Sequence, residues 1–315
     1  MRMDGRAGDI EAIKGFELTQ LRIIRPFDPW KSPLCTCPRK YSLHPYTGCS
    51  HFCLYCYATS YIGLRESKPK KKLVENTARD LSIIMDGSIV ELSTSSDPYP
   101  PIEREIKLTR KVLELLVKRN TRLLITTKSN LIIRDIDLLK KAKCSVMITI
   151  TTLDEDTRKI IEPGAPSSIE RIDTIKELSK HEIPVGVRID PVIPFVNDDP
   201  ADLIKLVEKV IEAGALHVVT STYKAKWNTL RRLESRLPID ISRKLLSLYR
   251  ENGNVIHGYI YLPRKTRYKL LSPVIETSKK HNITHAVCRE GLMEYNNAPS
   301  CDGSHLSMIK ESLPS

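Results

Sequence analysis

The sequence predicts an α/β protein built on a largely parallel sheet, an incomplete version of the (β/α)₈ barrel. From about residue 88 onward, short β-branched runs alternate with segments whose apolar residues recur at helical spacing, the signature of repeated βα units. Of 315 residues, 41% are hydrophobic and 28% charged, enough to bury a sizeable core in one large or two smaller domains. No stretch approaches the 18 or so apolar residues of a spanning helix, and no apolar segment follows the initial Met1-Arg2 as in a secretory leader. A cytoplasmic protein without a membrane partner is expected.

The elements follow in order. A first strand is predicted near 40–47 and a helix over 73–85. Strand signals at 88–94 and 122–127 flank a helix over 104–118, whose apolar face holds Ile106, Val112, Leu113, Leu116 and Val117. A helix near 134–142 precedes the most strand-like run, 144–151. Ser167 or Ser168 starts a helix that stops before Pro184. Strands at 185–190 and 216–221 are separated by a helix over 200–213, giving six βα units before residue 252. The C-terminal part offers a strand at 255–262, a helix at 265–281 and a strand at 283–287, which keeps a doubly wound sheet as the alternative.

Lysine and arginine exceed aspartate and glutamate by 50 − 38 = 12, a balance that suits attraction to phosphates. A single glutamine among many Lys, Glu and Ile residues also fits a thermophile, where surface charge serves stability. Eight cysteines are present, and five of them, Cys35, Cys37, Cys49, Cys53 and Cys56, fall within 22 residues. In a cytosolic chain such a cluster points to metal ligands more than to disulfides. Cys49-x-x-x-Cys53-x-x-Cys56 lies in a loop after a strand. Three thiolates on one short loop can wrap an iron–sulfur cluster and leave one iron open. A zinc knot would need a fourth ligand such as His51.

This spacing, with Tyr55 directly before the third cysteine, resembles the radical SAM superfamily. Further landmarks resemble its spore photoproduct lyase, or DNA repair photolyase-like, branch: Pro45–Cys49, Ser96-Asp97-Pro98-Tyr99, Thr127-Lys128-Ser129, Thr149–Asp154, Glu162–Pro166 and Val187–Pro194. The resemblance implies a partial (β/α)₆ TIM-type barrel. It also implies a [4Fe–4S] cluster on Cys49, Cys53 and Cys56, with S-adenosylmethionine on the fourth iron. One-electron cleavage of that cofactor would release a 5′-deoxyadenosyl radical, with a ferredoxin or flavodoxin as electron donor. On the same resemblance Tyr55, Ser95, Lys128, Thr149 and Arg188 are cofactor-binding candidates. Ser95 stands where the family holds the methionine amino group, Lys128 offers an ammonium to the carboxylate, and Thr149 suits ribose or carboxylate. Arg188 forms an ion pair with Asp190 or contacts the cofactor. The implied domains are an N-terminal extension (1–36), the radical SAM core (37–223) and a C-terminal extension (224–315) that covers or completes the barrel. One feature departs from the lyase: its cysteine hydrogen donor near the end of the second strand has no counterpart in Leu92–Ser96. Cys144, at the start of a strand, is expected to be a buried small residue.

Cys35, Cys37, Cys288 and Cys301 form a candidate second metal site, for zinc or a second cluster, because chain ends often meet within a domain. His44, His285 or His305 could replace a thiol, and unrelated thiols or a disulfide are the alternatives. Basic segments at 68–72, 223–232 and 264–269 carry Tyr223, Trp227 and Tyr268, residue types that stack on bases beside phosphate-neutralising lysines. Solvated helix faces are the plainer reading. The sequence therefore points to a radical SAM enzyme that modifies or repairs DNA or RNA. The alternatives are the same chemistry on a protein or small molecule, and a non-catalytic, zinc-stabilised nucleic-acid-binding protein.

Overall fold

The computed structural model describes residues 20–27 and 34–311. Most of the expected N-terminal extension therefore lies outside the described residues. The strands are β1 (Arg25–Pro26), β2 (Tyr41–Leu43), β3 (Tyr46–Thr47), β4 (Lys68–Pro69), β5 (Ile89–Leu92) and β6 (Arg122–Thr127). They continue with β7 (Lys143–Thr149), β8 (Val185–Val192), β9 (His217–Thr222), β10 (Asn254–Ile256), β11 (Tyr259–Tyr261) and β12 (Thr284–Val287). One sheet runs β1-β2-β5-β6-β7-β8-β9-β12, parallel from β2 to β12 with β1 as an antiparallel edge. Its two ends do not pair, so the result is an open, partial TIM barrel. The C-terminal part contributes β12, a seventh parallel strand.

The helices cover the outer face because their caps and apolar stripes agree. Ser167 and Glu170 close a capping box on Ser168–Lys180, Asp154 caps Glu155–Ile161, and Asp199 caps Pro200–Glu212 with Pro200 in the first turn. Leu203, Leu206, Val207 and Val210 then face a core continuous with Val146, Ile148, Val187 and Ile189 of the sheet.

Four local expectations need correction. The single helix over 104–118 is two helices, Glu103–Ile106 and Leu108–Val117, broken where Lys107 takes φ +53°. The buried Glu103 carboxylate then accepts from the Thr109 N–H at 2.9 Å, capping the second helix. The helix at 134–142 is a 3₁₀ turn, Asn130–Asp135, followed by Ile136–Leu139. The strand at 40–47 is split into β2 and β3, the latter pairing with β4. The strand at 255–262 is the hairpin β10–β11, because His257 (φ +48°) and Gly258 (φ +75°) both adopt the positive φ of a type I′ turn.

A second apolar cluster lies behind the Cys49–Cys56 loop. Cys53, Leu54 and Tyr55 pack there with Tyr223, Leu230, Leu233, Leu245, Tyr249 and Ile260. At the opposite end of the barrel, the 3₁₀ segment Ser304–Glu311 lies under β6. The Arg122 guanidinium donates to the Ser304 carbonyl at 2.9 Å and to Ser307 Oγ at 3.0 Å.

Candidate functional site

The loop that carries Cys49, Cys53 and Cys56 crosses the C-terminal ends of the parallel strands, where barrel active sites are built. Its path depends on two close approaches of backbone. Gly48 sits at φ +80°, and a Cβ there would lie 2.3 Å from the Glu66 carbonyl oxygen. Gly164 lies directly under the loop: a Cβ would meet the Ser50 carbonyl oxygen at 2.1 Å, and its N–H donates to the His51 carbonyl at 3.0 Å. The Leu54 N–H donates to the Ile161 carbonyl at 2.9 Å, and Arg232 donates to the Cys56 carbonyl at 3.0 Å.

Two buried carboxylates pin this loop to the sheet. Asp97 accepts from Thr127 Oγ1 at 2.7 Å and the Lys128 N–H at 2.8 Å, and faces His51 Nε2 at 3.0 Å. Burial opposes its charge, yet His51 and these donors bring its pKa down to about 2. Glu162 accepts from the Tyr55 hydroxyl and from Thr151 at 3.0 Å, and pairs with the buried Arg171 at 2.6 Å. Its pKa also falls to about 2, because Arg171, Lys128 and Tyr55 outweigh the cost of burial. Burial raises the Cys49 thiol to about 11, with Asp97 adding to it. Burial raises Cys53 as well, against the opposing charge of Lys128.

The three thiols open onto a cavity of about 240 Å³, which Tyr55, Ser95, Lys128, Thr149, Arg188 and Asp190 also line. Every candidate from the first set thus meets in one mouth. The particulars differ from expectation in two cases. The Tyr55 hydroxyl is turned away to Glu162, and the Lys128 ammonium lies 4.0 Å from Glu162 and 5.6 Å above the Tyr55 ring. Arg188 pairs with Asp190 at 2.6 Å, whose other oxygen accepts from Ser221 at 2.5 Å.

The residues present fit a cluster and a small polar cofactor. Among the described residues, no three His, Cys, Asp or Glu side chains converge closely enough for one metal ion. Thiolates on one zinc would stand about 3.8 Å apart, whereas thiolates on different irons of a cluster stand wider. Ser93, at the end of β5, is buried with φ +74° and its Oγ has no hydrogen-bond partner, though it faces the cavity. A strained residue with an orphaned hydroxyl is what a ligand-binding strand end leaves behind.

Sequence reasoning missed Asp97, Glu162 and Ser93 as individual residues and offered His51 only as a zinc ligand, although Asp97 and Glu162 lie within quoted landmarks. Their pairing spans up to 107 residues and carries no local signal. Two stacking candidates are corrected. Tyr223 is buried against Tyr249, its hydroxyl bonded to Thr229, and Tyr268 is stacked on Tyr295 at 4.5 Å. Trp227 remains half exposed. The aromatic residue at the mouth is instead Tyr57, edge-on to the buried Tyr259, whose ring has Lys226 Nζ at 4.6 Å and the Arg289 guanidinium at 4.7 Å. The second thiol set also reaches the cavity: Cys35, Cys37, Cys288 and Cys301 all line it. Cys144 is buried at the far end of β7, its thiol donating to the Leu139 carbonyl at 3.3 Å.

A parallel partial barrel with three loop thiols at its C-terminal mouth defines a class, and the comparisons agree. The Radical SAM superfamily model matches residues 43–207, and the chain belongs to that superfamily. Its cofactors are a [4Fe–4S] cluster and S-adenosylmethionine. An uncharacterized protein of Methanocaldococcus jannaschii is 32% identical over 281 residues, 85% of this chain and 95% of that one. A radical SAM Nα-GlyT isomerase of Pseudomonas phage M6 is 27% identical over 220 residues, 66% of this chain and 45% of that one. Among solved structures, spore photoproduct lyase complexed with dinucleoside spore photoproduct superposes with a TM-score of 0.63 at 15% identity, covering 85% of this chain and 79% of that one. Streptococcus suis SuiB bound to S-adenosylmethionine gives a TM-score of 0.53 at 14% identity, covering 78% and 49%. No helix among the described residues is long and apolar enough to cross a membrane.

Proposed function

We propose that this radical SAM protein is an enzyme acting on a nucleic acid, with its cluster held by Cys49, Cys53 and Cys56. The carrying observation is that these three thiols share one cavity with Ser95, Lys128, Thr149 and Arg188 at the strand ends. The bound cofactors supply one-electron cleavage of the sulfonium C–S bond and hydrogen-atom abstraction from substrate, given an electron from a ferredoxin- or flavodoxin-like donor. The chain's own part is positional. Asp97 and Glu162 fix the loop, Lys128 supplies a cation for the cofactor carboxylate, and Ser93 and Ser95 offer hydroxyls to its polar end. The packed helices behind the loop keep water from the reacting face.

The substrate class rests on the rim. Tyr57 and Arg289 line the mouth, Lys226 is close by, and Trp227 and Tyr61 are exposed, so aromatic faces and cations occur together there. That combination suits a base next to a phosphate. The nucleoside-containing ligand of the similar lyase structure supports the same reading.

The test is anaerobic. The protein is reconstituted with iron and sulfide, given dithionite and S-adenosylmethionine, and assayed for 5′-deoxyadenosine with and without DNA or RNA oligonucleotides. Nucleotide-dependent 5′-deoxyadenosine, together with a gel shift that weakens steeply with salt, is expected. Cleavage indifferent to nucleic acid, with no shift at low salt, would transfer the chemistry to a protein or small molecule. Zinc without iron and no cleavage would favour a binding protein.

A further inference from the structure

The second thiol set lies outside the cluster loop in sequence and lines the same cavity. Cys37 Sγ and Cys301 Sγ are 3.6 Å apart although 264 residues separate them in sequence. Thiols from both ends of the chain thus meet inside the barrel, a juxtaposition that local chain connectivity does not account for. Two thiolates on one tetrahedral ion, with bonds of about 2.3 Å, stand about 3.8 Å apart. The Cys37–Cys301 separation matches that bite and is far too short for thiolates on two irons of a cubane. Cys35 lies against Cys37, whose backbone N–H points at the Cys35 sulfur, and Cys288 lines the same cavity at the end of β12.

Two cations stand beside the thiols, one of them already paired with carboxylates. Lys40 is buried beside Cys37, its ammonium 2.6 Å from Asp302 and 2.7 Å from Glu91, and Arg289 stands near Cys35. The position is also mechanical. Cys35 and Cys37 precede β2 and Cys288 and Cys301 follow β12, the two ends of the parallel sheet that do not pair with each other.

We propose that Cys37 and Cys301 are the preformed half of a tetrahedral thiolate site, completed by rotation of the Cys35 and Cys288 side chains, which holds one zinc ion and clasps the open side of the barrel. The site uses none of the cluster-loop thiols and does not depend on the substrate assignment. Cys35–Thr36–Cys37 supplies two ligands from one short segment, closer in sequence than the usual C-x₂₋₄-C spacing at zinc.

The experiment counts metals in the full chain after cluster reconstitution and replaces zinc by Co²⁺ for absorption spectroscopy. About one zinc per chain beyond the cluster iron is expected, with an intense Co²⁺–thiolate charge-transfer band. Cys301→Ser and Cys37→Ser should lose the zinc and keep the iron, whereas the Cys49, Cys53 and Cys56 triple alanine variant should lose the iron and keep the zinc. Should Cys301→Ser fail to fold, Cys288→Ser decides: the site with three thiols left must show a shifted, weaker Co²⁺ band, and an unchanged band overturns the ligand set. Absence of zinc and of any thiolate band in the unaltered protein overturns the proposal. So does extra iron and sulfide that disappears in Cys37→Ser, which would make this a second cluster. A Cys37–Cys301 cross-linked peptide lighter by two hydrogens in freshly isolated protein would replace the metal with a disulfide.

Discussion

The two thiol sets open onto one cavity yet are built in opposite ways. Cys49, Cys53 and Cys56 lie on one short loop, and their neighbours Tyr55, Asp97 and Glu162 serve to hold that loop in place. Cys35, Cys37, Cys288 and Cys301 come from the two ends of the described chain, and Lys40 ties those ends through Asp302 across 262 residues. The first set brings its ligands together by chain connectivity, at little entropic cost; the second relies on the finished barrel to close a long loop. Damage to the first should therefore remove a cofactor and leave the barrel, whereas damage to the second should loosen the barrel and leave the cluster.

The sharpest break of that contrast is the triple alanine substitution of Cys49, Cys53 and Cys56. It is expected to abolish 5′-deoxyadenosine formation, measured by chromatography, with the unfolding transition still cooperative. Next come buried ion pairs on each side. Glu162→Gln strips Arg171, which is 1% exposed, of its carboxylate, and Lys40→Met leaves Glu91 and Asp302 facing each other. Each is expected to cost about 3–5 kcal/mol by denaturant titration. Glu162→Gln should also lower the iron content, whereas Lys40→Met should not; equal iron loss in both would erase the distinction.

Acid gives a smaller, graded effect on the segment between β2 and β3 that joins the two sets. His44 lies between Cys37 and Cys49, and its Nε2 accepts from the Thr94 N–H at 3.2 Å. Burial, and then Lys70, lower its pKa from 6.5 to about 4. Because the unfolded chain binds this proton more readily than the native one, stability is full above pH 6.5 and falls as pH drops toward 4. The loss from this group is at most about 3 kcal/mol, and His44→Gln should lessen the slope of a stability profile between these limits, to which the buried His217 also contributes. Last, Gly164→Ala forces the loop off its seat and is expected to cost about 1–3 kcal/mol, read as lower iron occupancy with the melting temperature only slightly reduced.

Some of this was legible in the residues and some was not. Strands β5 to β9 and the helices Ser168–Lys180 and Pro200–Glu212 follow from period-2 and period-3.6 patterns that each segment carries alone. The run 255–262 misleads because an apolar stretch reads alike as one strand or as a hairpin, and the His257-Gly258 turn lacks the usual asparagine. Tyr223 and Tyr268 read as surface stackers because a tyrosine beside lysines looks the same whether its ring is buried or free; only their packing against Tyr249 and Tyr295 settles it. By itself the sequence determined the parallel α/β frame, the three loop thiols and the superfamily they signal, since each depends on residues within one turn, strand or loop. The tertiary structure decided the open barrel's seventh strand, the Asp97 and Glu162 clamps, and the meeting of Cys37 with Cys301. Those depend on which distant segments share a buried space, and that is fixed by packing of the whole chain.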